Sequence, residues 1–407
     1  MERGWGKVNN YMKKVLRGLL LISILANWQI STFAQDSSRL RISLLTCTPG
    51  KELYSTFGHS AFRITDSSRA FNDAWRDVVY NYGTFNFDDE FYVKFVQGKL
   101  LYYVSTEYFA DFKDLYQSTN RGITEQVLKL STDEKITLQH FLNENIKEEN
   151  KYYRYDFFFD NCTTRLRDIL KKQHDSNFTK TAVMPLGNTF RQAIHEYLNK
   201  NNQYWSRFGI DILMGLPTDG VMTTEQMQFL PDNLMKSLDS SKQTMILSSL
   251  NLYPVTDENS KKSFFTPFVV FSLLLIFIVL LDFVKNKFAQ VFLQGFDGLL
   301  FFFTGALGVI MILMWTATDH AMCKDNFNLI WAWPTHSIIA FFVNSKKNWV
   351  KKYFKFTAVA LMAVLISWFF LPQQMNNAVL PIILLLIYRS IKKSLSTNTS
   401  TSAQYTN

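Results

Sequence analysis

The last third of the chain constrains the fold most. From Phe264 the sequence holds five apolar runs: Phe264 to Leu281, Leu299 to Trp315, Leu329 to Val343, Phe356 to Leu371 and the shorter Ala378 to Tyr388. Runs of this kind suit helices crossing a bilayer, which need roughly 20 apolar residues each. The flanking charges test that count. Lys285 and Lys287 follow the first run. Lys346, Lys347, Lys351, Lys352 and Lys355 lie between the third and fourth, and Arg389, Lys392 and Lys393 follow the fifth. If the runs alternate in direction, all three clusters fall on one side, and basic loops mark the cytoplasmic side. The fifth run is short enough to need a tilt that brings it in from Met375.

The N-terminus gives an independent reading of sidedness. Lys13, Lys14 and Arg17 form a basic segment, Leu19 to Ala26 a short apolar core, and Thr32-Phe33-Ala34 a small-residue pattern of the kind signal peptidase cuts. An export signal puts the following residues outside the cytoplasm, as the basic clusters also require. The net charge of +9 is thereby accounted for without a polyanion. Many basic residues lie in the signal and between apolar runs, so nucleic acid is not an expected partner. The expected organisation is a signal peptide over residues 1–34, an extracytoplasmic domain over 35–260, a transmembrane helical domain over 261–393 and a polar cytoplasmic tail over 394–407.

The middle of the chain reads as α+β. Arg41 to Leu45, Ser60 to Ile64, Val78 to Gly83, Leu100 to Ser105 and Gln126 to Leu130 carry the aromatic and β-branched residues of strands. Ala110 to Gln117, Thr132 to Ile146 with Ser131 as cap, Asn161 to Leu170 and residues 187–200 follow helical spacing. Residues 202–232, punctuated by Gly and Pro, read as an ordered wrap, with Trp205, Asp211, Gly215 and Asp219 as structural residues.

Three cysteines, Cys47, Cys162 and Cys323, are too few for a disulfide scaffold, and an odd count leaves a free thiol in an oxidising compartment. Cys162 lies in Asp160-Asn161-Cys162-Thr163-Thr164-Arg165, where an apolar stretch stops and a helix begins. Asn161 or Asp160 can cap that helix. The first-turn amides and the helix dipole favour a thiolate and can help an oxyanion. A nucleophilic cysteine needs a base, itself oriented by a third group. His59, opening a strand after Gly58 in Phe57-Gly58-His59-Ser60, is the leading base. Asn81 in Tyr80-Asn81-Tyr82-Gly83 is the leading orienting residue, with Tyr80 as its rival. Each feature alone has a plainer reading. A cysteine at a helix start is commonly a small buried apolar residue, and Asn161 alone is only a cap. Cys47, in a strand running into a turn, is the competing nucleophile, and a Cys47–Cys162 disulfide would remove both. Arg165 is a candidate for a phosphate or carboxylate contact, or a surface ion pair. Asp319, His320 and His336 lie near the outer membrane face, where ionisable groups usually have partners or roles. No metal site and no cofactor are expected.

A histidine on a strand, an intervening stretch of about a hundred residues and then Asn-Cys opening a helix resembles the permuted papain-like (NlpC/P60-type and lecithin:retinol acyltransferase-like) cysteine enzymes. Joined to a C-terminal multi-span domain, the pattern is similar to the Lnb-type lipoprotein N-acyltransferases. Phe57-Gly58-His59-Ser60, Tyr80 to Phe85, Asp160 to Arg165 and the stretch around Asp319-His320 carry the likeness. The resemblance implies a fold of the papain-like class and an acyltransferase of the inner membrane. By the resemblance Cys162 and His59 would be catalytic; Asn81 is the third catalytic residue on the reading of the residues, with Arg165, Tyr80 and His320 as the expected substrate contacts. The implied partners are a phospholipid acyl donor and a diacylated lipoprotein acceptor. A membrane-anchored cysteine peptidase or amidase, and a non-catalytic scaffold, are the alternatives from other classes.

Overall fold

The computed structural model describes residues 39–86, 88–173, 176–255 and 263–395. The expected signal peptide and the end of the polar tail lie outside the described residues.

Seven strands form one sheet: β1 (Leu40–Cys47), β2 (His59–Asp66), β3 (Asp77–Thr84), β4 (Leu101–Tyr108), β5 (Ile123–Leu128), β6 (Tyr152–Arg154) and β7 (Ile246–Tyr253). Their order is β6-β4-β3-β2-β1-β5-β7, and each neighbouring pair is antiparallel. Side chains alternate between faces with a period of two. Ile42, Leu44, Phe62, Ile64, Tyr80, Tyr82 and Val104 therefore fill one core. It is closed by α3 (Thr132–Asn145), α4 (Cys162–Gln173) and α7 (Pro231–Ser240), through Leu138, Leu142, Leu166, Leu170, Leu234 and Leu238. The intervening residues Leu45, Cys47, Ala61 and Val79 meet Phe112 and Tyr116 of α2 (Phe109–Ser118) on the other face. Ser131 caps α3 in a full capping box with Glu134.

Several elements differ from the sequence expectation. A short helix, α1 (Phe91–Gln97), precedes β4, and β6, β7 and α7 are additional. The wrap contains a helix, α6 (Tyr204–Leu213), after α5 (Phe190–Lys200). The C-terminal region is helical: α8 (Pro267–Asp282), α9 (Lys287–Thr316), α10 (Thr335–Ile339), α11 (Asn348–Ile366) and α12 (Val379–Leu395). Among the described residues, one helix, Lys287–Thr316, is long and apolar enough by length and composition to cross a membrane, and α8 is a shorter apolar helix.

The third expected span is not a continuous helix. Residues 327–342 are two 3-10 turns around the five-residue α10. The segment runs antiparallel along α9 in backbone contact. A Cβ on Gly308 would lie 2.0 Å from Ala332 O, and one on Gly305 would lie 2.0 Å from Ser337 N. One on Gly298 would lie 3.8 Å from Ala340 O. Those glycines span about 15 Å of helix, so the irregular chain descends along α9. Trp331, Ala332 and His336 in it are fully buried, which is where non-helical backbone is tolerated at membrane depth.

The wrap joins the two parts. Arg191 of α5 is fully buried and pairs with Asp211 at 3.0 Å and Asp219 at 2.9 Å, and His195 also meets Asp211, at 2.7 Å. Asp211 then accepts from Asn376 Nδ2 at 2.7 Å. Asn326 Nδ2 donates to Ile212 O, Gln373 Nε2 to Met214 O, and Trp205 Nε1 to Phe265 O. Gly215 lies so close to the loop that a Cβ would sit 1.7 Å from Lys324 O. The helical region thus meets the sheet domain through Phe265, the 319–328 loop and residues 373–376. The opposite ends of its helices are tied by Arg389 to Asp282 and Asp297, and by Lys393 to Asn344.

The sheet has a corresponding polarity. Register pairs Cys47 with both His59 and Ile123, Ile123 with Tyr253, and Leu101 with Arg154. These residues mark one end of the sheet. At that end Arg154 reaches Asp319 at 3.3 Å, and the Asp319 amide donates to Gln97 O. The hairpin tip around Phe71 lies at the other end.

Candidate active site

His59 opens β2 at the end of the sheet that faces the helical region. Gly58 before it adopts φ +81, and a Cβ there would lie 2.7 Å from Cys47 O, so glycine is what lets the chain turn into the strand beside β1. Cys162 is the first residue of α4. Asn161 caps the helix through Oδ1, which accepts from the Thr163 and Thr164 amides at 2.8 and 2.9 Å. Its Nδ2 is anchored on Phe157 O and Phe229 O. The buried cap fixes where the thiol points.

The two residues meet beneath Gly83, whose φ is +96. A Cβ at Gly83 would lie 3.6 Å from Cys162 Cβ and 3.9 Å from His59 Cε1. His59 Nε2 donates to Asn81 Oδ1 at 2.5 Å, leaving Nδ1 as the ring nitrogen available to Cys162. Asn81 Nδ2 in turn donates to Glu107 Oε1 at 3.0 Å. Glu107 fixes the sense of the chain, because a carboxylate only accepts. It holds the amide nitrogen on its own side and the amide oxygen toward the imidazole. Burial raises the Glu107 carboxyl, against the Asn81 hydrogen bond.

Electrostatics single out one thiol. Burial alone pushes Cys162 up. The His59 charge and hydrogen bond, the Ser60 backbone and the Thr163 hydroxyl outweigh it and bring the thiol down to about 7. Burial pulls His59 down, but the Cys162 thiolate, its hydrogen bond and Asn81 more than reverse this, and the net shift is upward. Opposite shifts in two neighbouring groups favour the thiolate and the imidazolium together. Cys47 and Cys323 are buried and pushed up to about 12. All three cysteines are free, so no Cys47–Cys162 disulfide forms.

The amides of α4 do less than the sequence suggests. Those of Thr163 and Thr164 are spent on the cap, so the donors left at the sulfur are the Ser60 backbone and the Thr163 hydroxyl, whose Oγ1 lies 3.8 Å from Sγ and 3.1 Å from Ser60 Oγ.

The remaining sequence candidates lie elsewhere. Tyr80 alternates away from Asn81 into the core, where its hydroxyl donates to Asn143 Oδ1 at 2.6 Å. Arg165 is held by Asp160 through two bonds of 2.6 and 2.8 Å and lies over the Tyr153 ring. It lines a cleft of 430 Å³ along α4 with Tyr82, Phe159, Asp160, Asp168 and Lys172. His320 meets α1, its Nε2 at 3.0 Å from Phe95 O. Ser60 and Thr163 lie inside the two sequence motifs without a role of their own there, and Glu107 lies in neither. The available signal for Glu107 was a lone carboxylate in an aromatic strand, Leu101–Tyr108.

Two family models match the chain. Residues 26–198 match the Lnb N-terminal periplasmic domain, and residues 259–401 match the Lnb transmembrane domain. No curated protein and no solved structure matches it. The matches fall in the order of the two structural parts and together cover most of the sequence, so the chain belongs to the Lnb family of membrane proteins, with a periplasmic domain followed by a transmembrane domain.

Proposed function

We propose that the protein is a lipoprotein N-acyltransferase with Cys162 as nucleophile, His59 as base and Asn81 as orienting residue. One observation carries this reading: the lowered thiol sits at the end of the sheet that meets the membrane domain, not at the end facing away. A thiolate there is presented toward esters held in the bilayer.

The chemistry follows in two steps. The Cys162 thiolate attacks the carbonyl carbon of a phospholipid ester. The ester C–O bond breaks, the lysophospholipid alkoxide takes the proton held by His59, and an acyl thioester remains on Cys162. The α-amino group of a diacylglyceryl-cysteine then attacks the thioester. His59 takes the amine proton, an amide forms and the thiolate leaves. The Ser60 backbone, the Thr163 hydroxyl and the amide of Cys162 itself are the donors on hand for the oxyanion of both steps. A permuted papain-like description of the domain fits a nucleophile at a helix start packed against an antiparallel sheet that carries its histidine. The basic ends of α8, α11 and α12 lie away from the periplasmic domain, which fits a cytoplasmic C-terminus.

The test is the N-terminal mass of a lipoprotein from cells with and without this protein. The expected result is loss of one amide-linked acyl group in its absence, restored by the wild-type chain and not by Cys162→Ala. Unchanged N-terminal acylation in the deleted strain would remove the reading.

A further inference from the structure

α1 is a short helix with its apolar side outward. Val93, Phe95 and Val96 are 59%, 50% and 53% exposed, while Phe91 is turned inward. A water-facing helix of seven residues rarely exposes three large apolar groups without something to cover them. Its position says what does. The Asp319 amide donates to Gln97 O, His320 Nε2 meets Phe95 O, and a Cβ on Gly98, which is left-handed at the C-cap, would lie 3.3 Å from Asp319 Cβ. Asp319 follows the last residue of α9, Thr316, by only three positions. The patch is therefore continuous with the outer end of the longest membrane helix. The charges beside it are mixed, as in a headgroup layer: Lys94 pairs with Asp88 and Glu90, Arg154 with Asp319, and Lys99 and Asp89 are exposed.

We propose that α1 lies in the outer-leaflet interface, its Val93, Phe95 and Val96 side in contact with lipid, and forms the lip over which a lipid reaches Cys162. The inference rests on the acyl-transfer reading for what passes over the lip, but not for where α1 lies. A line of rings connects the two places. Phe95 packs 6.1 Å from Phe91, Phe91 5.5 Å from Phe85, and Phe85 follows Gly83 by two residues. His320 thereby acquires a role as a positioning residue that seats α1 at the bilayer surface.

The test measures depth rather than turnover, so its failure is distinct from failure of the acyl-transfer reading. Full-length protein carrying Cys162→Ser is placed in nanodiscs of phosphatidylethanolamine and phosphatidylglycerol. Val93→Cys, Val96→Cys and Phe71→Cys are introduced one at a time and labelled with a nitroxide. Cys47 and Cys323 are buried, and the unsubstituted parent measures their background. At positions 93 and 96, collisions with dissolved oxygen should exceed those with a water-soluble nickel chelate several-fold. At position 71, on the far hairpin, the order should reverse. Labels at 93 and 96 that collide freely with the nickel chelate, or that are shielded from both agents as under a protein partner, would overturn the proposal.

Discussion

At the scale of single residues, a thiol and an imidazole change each other's proton affinity. Cys162 is held down to about 7 and His59 is shifted upward. The thiolate is thus formed as pH rises through about 7 and is lost below it. Alkylation of Cys162 by iodoacetamide should follow a single rise centred near that pH, an apparent value belonging to the pair. His59→Ala removes the charge and the hydrogen bond while burial stays, so the midpoint should move upward, by at least about one unit. Asn81→Ala should move it less, and Glu107→Gln least, since Gln Oε1 can still accept from Asn81. A midpoint unmoved by His59→Ala would mean that the imidazole does not act on the sulfur. The dyad was legible because both members sit in local signals, a glycine before a strand and an asparagine before a helix. Glu107 was not. It reaches Asn81 diagonally across β3 and β4, and that neighbourhood exists only once Val79 is paired with Glu107 and Asn81 with Ser105.

At the scale of elements, α4 matters most, because its cap sets both helix and nucleophile. Asn161 is buried and makes four hydrogen bonds through its side chain. Asn161→Ala should cost about 1–2 kcal/mol of stability, the upper part of the range for a lost cap, and thermal unfolding measures it. Asn161→Asp keeps the two accepted bonds but leaves Phe157 O and Phe229 O without their donor, so it should recover only part of the loss. An alanine variant as stable as the parent would show that the cap is idle. Strand and helix positions in the periplasmic domain were largely readable, since alternation and caps are local. α1, β6 and β7 were not: they are short or edge elements with exposed apolar side chains, and β7 reads Ile246–Tyr253 with five consecutive exposed positions. The third apolar run has the composition of a span but not its backbone. Pro334 was the sign within it, and the glycines at 305 and 308 mark where its backbone is received by α9.

At the scale of the whole molecule, the periplasmic domain is held in one orientation on the membrane domain. The buried Arg191, Asp211 and Asp219 fix α5 to the wrap, and Asn326, Gln373 and Asn376 fix the wrap to the outer loops. The end of the sheet that carries His59 is thereby turned to the helical region. The apolar runs and the basic clusters between them made the transmembrane domain readable in the sequence. The orientation of the sheet was not readable, because it depends on polar side chains that meet across more than a hundred residues. A site so placed is suited to two lipid substrates taken in turn, and the covalent species between them is the most direct test. Purified protein incubated with phospholipid alone should gain one fatty-acyl mass on Cys162. Neutral hydroxylamine should remove it, and a diacylated lipopeptide with a free α-amine should discharge it while its N-acetylated counterpart does not. A chain that forms no such adduct with intact donor lipid, and cleaves peptides or amides instead, would contradict the account.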